Sequence, residues 1–283
     1  MHSEFKTIFS DPKGSDAVYR FLQVVYHLYP EDKFHYLLSS ITKQEETDES
    51  IYTTAQKRLK VIKPFLSELT YALPALATQK RELTTQALTL LGSSSKFNGY
   101  LEIGSTGRYI SALRKKLTIS GDTILSNDIA PSNSIADIAE RGQIKPIGRF
   151  IPLRDYQPFS EQEISSGSID LITCYIGLHH CPPEKLEGYI ASLYRILRSG
   201  GALLLRDHNV TTEAMNTFVS LIHTIFNLGL GVPWSENAVE LRHFHSIEYW
   251  AEALSAAGFS VGPQRLLQQN DPSDNTLIIC RKP

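Results

Sequence analysis

Between residues 99 and 207, short apolar runs alternate with stretches whose apolar residues recur every three to four positions. The runs at 99–103, 122–127, 147–153, 169–176 and 202–207 read as strands, and those at 107–117, 133–141, 183–198 and 211–228 as helices. Such alternation demands parallel strands joined by helical crossovers, an α/β doubly wound sheet. The tail breaks the rhythm. A helix at 246–257 leads to a run at 259–267 and a last run at 275–283. The joining "QQNDPSDN" is too short for a crossover helix, so these two runs must pair antiparallel.

The first 95 residues read as helical. Val18, Leu22, Val25 and Tyr29 share one face of a helix that Ser15 or Asp16 could cap, and Phe34, Leu37, Leu38 and Ile41 continue the period. "EETDES" (45–50) is a polar break. Pro64 and Pro74 interrupt the next stretch, and a helix at 77–92 stops at Gly92. "SSSKFN" (93–98) reads as a linker. The expected division is a helical cap at 1–95, which sets the identity of a substrate, and a ligand-binding domain at 96–283.

Composition removes several classes. The 283 residues are 42% hydrophobic with a net charge of −2, enough for a core and no electrostatic footprint for nucleic acid. Cys174, Cys181 and Cys280 show no CxxC pairing, so neither a disulfide framework nor a zinc knuckle is expected. "MHSEFKTIFS" lacks a signal-peptide core. The longest apolar stretch, 218–234, holds His223 and Asn227 and breaks at Gly229, Gly231 and Pro233. It reads as a buried or lid helix, not a membrane span. A cytoplasmic protein with no membrane partner is expected.

The stretch "GYLEIGSTGRY" (99–109) carries the chemistry. An apolar strand ends in Glu102, and a turn of Gly104, Ser105, Thr106 and Gly107 follows at once. Glycines there let backbone N–H groups approach a ligand closely. Asp128, with Ile129 beside it, ends the second strand 21 residues beyond Gly107, where a carboxylate can accept both hydroxyls of a ribose. That spacing also fits NAD. Three features favour S-adenosylmethionine (SAM): the acid precedes the glycines, GSTG is shorter than GxGxxG, and an antiparallel hairpin follows the fifth strand. A carboxylate would repel a pyrophosphate but suits an ammonium and a sulfonium.

From residue 99 to 283 the sequence resembles the class I SAM-dependent methyltransferases. "LEIGSTGRY" resembles the family's first motif, E/D-x-G-x-G-x-G, one residue shorter and without its middle glycine. "NDIAPS" resembles the second motif. "SIDLITCYIGLHHCPPEKLEGYIASLYRILRSGGALLLRDH" (168–208) resembles the fourth strand, helix and fifth strand, and "FHSIEYWAEALSAAGF" (244–259) the helix before the sixth. The resemblance implies a Rossmann-like, mostly parallel seven-stranded sheet of order 3-2-1-4-5-7-6, its last strand antiparallel. It implies SAM as cofactor, with Gly104 and Gly107 under its methionine part and Glu102 at its ammonium. Asp128 would take its ribose and Asp155 its adenine amino group, while Tyr175, Ile176 and Gly177 line the exit of the fourth strand.

His179, His180, His208, His243 and His245 follow strands or fall in "RHFHS", where the loops of this fold converge on the ligand. A histidine there can take a proton from an acceptor. His180, His208 and His245, with Asp207, are the catalytic candidates. "HFH" and "HH" lack an acid partner at matching spacing, so no metal site is expected. Arg242 would suit an anionic acceptor group. The expected activity is methyl transfer to a small or medium organic acceptor, with a protein acceptor as the next case. An NAD(P)-dependent oxidoreductase and a catalytically silent binding module are the competing readings.

Overall fold

The computed structural model describes residues 3–26, 29–63, 73–134, 137–138 and 141–283. Its strands are β1 (Lys96–Ile103), β2 (Thr118–Asn127), β3 (Arg149–Pro152), β4 (Ile169–Cys174), β5 (Leu197–His208), β6 (Ser260–Val261), β7 (Leu266–Leu267) and β8 (Asn275–Arg281). They form one sheet in the order β3-β2-β1-β4-β5-β8-β6, with β7 also on β8. The pairs β1–β2, β1–β4, β2–β3 and β4–β5 are parallel, while β6 and β7 run antiparallel to β8. Counting β8 as the seventh strand, this is the expected order. The expected run at 259–267 is split. Pro263 cannot donate to a ladder, so β6 ends at Val261 and pairing resumes at Leu266.

Strand periodicity sorts the core into two faces. Leu101, Ile103, Ile172, Cys174, Leu203, Leu205, Ile278 and Cys280 pack with Tyr189, Ile190 and Leu193 of α7 (Pro183–Ile196) and with Trp250 and Leu254 of α10 (Ile247–Ala256). Their neighbours Tyr100, Leu171, Tyr175, Ala202, Leu204, Leu277 and Ile279 point the other way. They meet Leu83, Ala87 and Leu90 of α5 (Leu73–Leu91) and Ile110 and Leu113 of α6 (Ile110–Leu113). Pro74 sits at the start of α5; Pro64 lies outside the described residues, as does part of the helix expected at 133–141. The helix expected at 107–117 is reduced to four residues. Glu102 accepts the N–H groups of Tyr109 and Ile110, which no carbonyl of the helix can take, and past Leu113 three-residue bonds at Lys115 and Lys116 mix with a four-residue bond at Leu117.

The chain divides into two compact units. One comprises residues 80–207, 245–267 and 275–283, and holds the sheet; the other comprises 1–79, 208–244 and 268–274. The second unit is helical: α1 (Glu4–Ser10), α2 (Pro12–Val24), α3 (Glu31–Thr42), α4 (Asp48–Ile62), α8 (Glu213–Leu230) and α9 (Trp234–Asn237). The cap of α2 is Asp11, not Ser15 or Asp16, because Pro12 is preorganised for the first helical position. The apolar stretch at 218–234 is mostly α8, whose Leu221, Ile222, Ile225 and Leu228 are buried among Leu22, Leu38, Ile41 and Ile51. Carbonyls at its C-terminal end and just beyond it are satisfied from within the unit. Tyr29 donates to the Gly229 carbonyl at 2.9 Å, while Tyr52 and Gln56 donate to Val232 at 2.6 and 2.8 Å. Among the described residues no helix is long and apolar enough to cross a membrane.

Candidate active site

The site begins where β1 ends. Alternation places Glu102 on the face of Tyr100, in register with Thr173 of β4. Its carboxylate is fully buried. One oxygen accepts from the Ser105 hydroxyl and the Tyr109 N–H, the other from the Tyr100 hydroxyl at 2.8 Å and the Ile110 N–H at 2.9 Å. Tyr100 also meets the Thr173 hydroxyl at 2.7 Å. Burying a carboxylate costs several kcal/mol unless donors surround it; here four do. All four draw on the turn or on the strands beneath it, so Glu102 holds the loop 104–107 in shape.

Within that loop, Ser105 also accepts from the Gly107 and Arg108 N–H groups at 3.3 and 3.1 Å. Gly104 has a φ of +80° and donates to the Ser126 carbonyl at 2.7 Å. A Cβ on it would lie 2.3 Å from the Ile176 side chain. The Thr106 and Ser126 hydroxyl oxygens are buried and, among the described residues, have no hydrogen-bond partner. A polar ligand on the loop would satisfy them. This glycine cradle with its orphaned hydroxyls fits an amino-acid-bearing nucleoside.

Asp128 and Asp155 stand at the ends of adjacent strands, β2 and β3. Burial raises the Asp128 carboxyl above its ordinary value, and the charge of Asp155 adds to the shift. Ile129, beside Asp128, is 75% exposed, an apolar surface fit to receive a purine. Asp155 lies in a turn with Arg154 and Tyr156, all three at left-handed φ (49°, 53° and 58°). Each such residue costs about 1–2 kcal/mol, and strain of this kind gathers at ligand sites.

A methyltransferase domain model matches residues 76–263. The chain belongs to the methyltransferase domain family. Solved structures of other methyltransferases are similar to the chain. An O-methyltransferase family 2 protein from Planctomyces limnophilus, in complex with apigenin, aligns over 88% of this chain and 66% of its own at 15% identity and a TM-score of 0.50. The carbon methyltransferase CurJ aligns over 95% and 70% at 17% identity and 0.49. The Burkholderia thailandensis 1,6-didemethyltoxoflavin-N1-methyltransferase, with bound S-adenosylhomocysteine (SAH), aligns over 81% and 88% at 16% and 0.47. A search of curated proteins returned no match.

Beyond β4 the methyltransferase domain places Tyr175 edge-on to Tyr109, with ring centroids 4.8 Å apart. Gly177 has a φ of +84°, and a Cβ there would meet Asp207 Oδ2 and His179 Nδ1, both at 2.6 Å. Asp207 pairs with His179. It accepts from His179 Nδ1 at 2.7 Å and from the Leu178 N–H at 2.6 Å, and both side chains are buried. The ring of His180 lies 4.2 Å from that of His179. His245 stacks on Tyr249 at 3.9 Å and meets the edge of Trp250 at 5.4 Å.

His208 belongs to the helical unit. Its Nδ1 donates to the Ser273 carbonyl at 2.7 Å and its Nε2 lies 3.2 Å from His223 Nε2, so both nitrogens are engaged. Arg242, expected at an acceptor, spends its guanidinium on Glu240, Asn237, Thr224 and the Ser220 carbonyl of its own unit. Sequence reasoning left Tyr100 and Lys185 out of the site, and placed His179 at the crevice but outside the catalytic set. For Tyr100 a signal existed, since it sits two residues before Glu102 on one strand. His179 was one of two adjacent histidines, and only its partner Asp207 distinguishes it. Nothing in "PPEK" links Lys185 to Asp155.

Proposed function

We propose that this methyltransferase domain binds SAM and transfers its methyl group to a small or medium organic acceptor. The observation that carries the reading is the loop 104–107, held by a saturated, buried Glu102 with Thr106 and Ser126 hydroxyls left over beneath it. When bound, SAM supplies a methyl group on a sulfonium that leaves readily. The chain's residues position and shield. The loop receives the amino-acid tail, Asp128 accepts the ribose hydroxyls, Ile129 supports the purine and Asp155 accepts from its amino group. Tyr175 and Gly177 shape the space beyond β4.

His179 is the group best placed to take a proton. Asp207, as a carboxylate, only accepts, so the His179 proton sits on Nδ1 and Nε2 carries the lone pair. His180 and His245 are left to orient the acceptor. The three cysteines are all unpaired and buried, in keeping with a reducing, cytoplasmic setting. Isothermal titration with SAM, SAH and NAD tests the reading. SAM and SAH are expected to bind and NAD not; NAD binding with SAM excluded would overturn it.

A further inference from the structure

The turn after β3 needs bracing, because side chains with a Cβ avoid its backbone conformation. Each of its three residues has a brace. The Arg154 guanidinium pairs with Glu163, and the Tyr156 ring meets the Tyr189 ring edge-on at 5.1 Å. Asp155 is held by Lys185, from the first turn of α7. The Lys185 ammonium donates to the Asp155 main-chain carbonyl at 2.9 Å and also to carboxylate oxygen Oδ2. Among the described residues, Oδ1 accepts no hydrogen bond.

We propose that Lys185 is a positioning residue for purine recognition. By gripping the Asp155 backbone and one carboxylate oxygen, it presents the other oxygen as an acceptor for the 6-amino group of adenine. The inference rests on the cofactor reading above and deepens it. A carboxylate without its own grip could rotate about its side-chain bonds and lose the direction of that oxygen. The lysine therefore fixes the geometry of the oxygen left over. A purine lacking the 6-amino group gains nothing from the arrangement.

Titration calorimetry with SAH and its purine-riboside analogue, which lacks only the 6-amino group, tests this. The wild-type protein should prefer SAH by about tenfold or more, the scale of one hydrogen bond to a charged acceptor. Lys185→Met should weaken SAH by about tenfold and the analogue by less than about twofold, erasing the preference. In an Asp155→Ala background, Lys185→Met should have no further effect on the ratio. Thermal melts of each variant report folding. A preference untouched by Lys185→Met overturns the assignment, as does an equal loss for both ligands or a full effect persisting without Asp155. Wild-type protein that binds neither nucleoside overturns the cofactor reading itself.

Discussion

The Asp207 carboxylate holds His179 Nδ1 at 2.7 Å while taking the Leu178 N–H at 2.6 Å. The pair fixes a tautomer. Asp207→Asn offers an amide whose N–H can donate to Nδ1, which moves the ring proton to Nε2 and removes the lone pair. Methyl transfer to an acceptor that must lose a proton is expected to fall by about 10²-fold or more. SAH affinity should change little. Single-turnover assays with methyl-labelled SAM, beside calorimetry, check the split. An acceptor already ionised should escape the loss.

Gly104→Ala places a methyl group against Ile176 and forces a side chain into left-handed backbone. We expect a loss of about 2 kcal/mol or more in unfolding free energy, together with weaker SAH binding. Adding Ile176→Ala should recover part of the binding, since it clears the contact but leaves the backbone strain. Denaturant melts and calorimetry on the single and double variants measure both.

Tyr100→Phe deletes the hydroxyl that bridges Glu102 and Thr173. Both partners are buried, so the cost should be about 1–3 kcal/mol. The loop 104–107 should lose definition as well, read as faster amide exchange at Tyr109 and Ile110, whose N–H groups Glu102 accepts.

The Asp128 carboxyl is raised above 3.8, first by burial and then by Asp155. The folded chain therefore binds this proton more tightly than the unfolded chain. This group's contribution to stability falls as pH rises from 3.8 through the raised value. Ribose binding needs the ionised form, so SAH affinity should drop on acidification at a higher pH than for an ordinary aspartate. Asp155→Asn removes one cause and leaves the other. The midpoint of the acid limb should move down, which calorimetry across a pH series would record.

Much of the fold was legible because local periodicity is enough to define it. Tyr100 and Leu101, Leu171 and Ile172, and Leu204 and Leu205 face opposite ways, as strand alternation requires. The glycines of "EIGSTG" mark a turn whatever surrounds them. Boundaries were less legible where a group outside the helix intervened: Glu102 takes the N–H groups of Tyr109 and Ile110 at the start of α6. The candidate site was legible in its acids and glycines but not in its pairings. Two neighbouring histidines look alike in a sequence, and Asp207 lies 28 residues from the one it holds.

The sequence by itself determined the sheet, its antiparallel end and the turn after the first strand, because those follow from side-chain spacing along a few consecutive residues. Only the tertiary structure decided that Glu102 is saturated, that Asp207 takes His179 and that Lys185 grips Asp155. Hydrogen bonds need their atoms within about 3 Å at set angles, and for residues far apart along the chain only the folded backbone sets that distance.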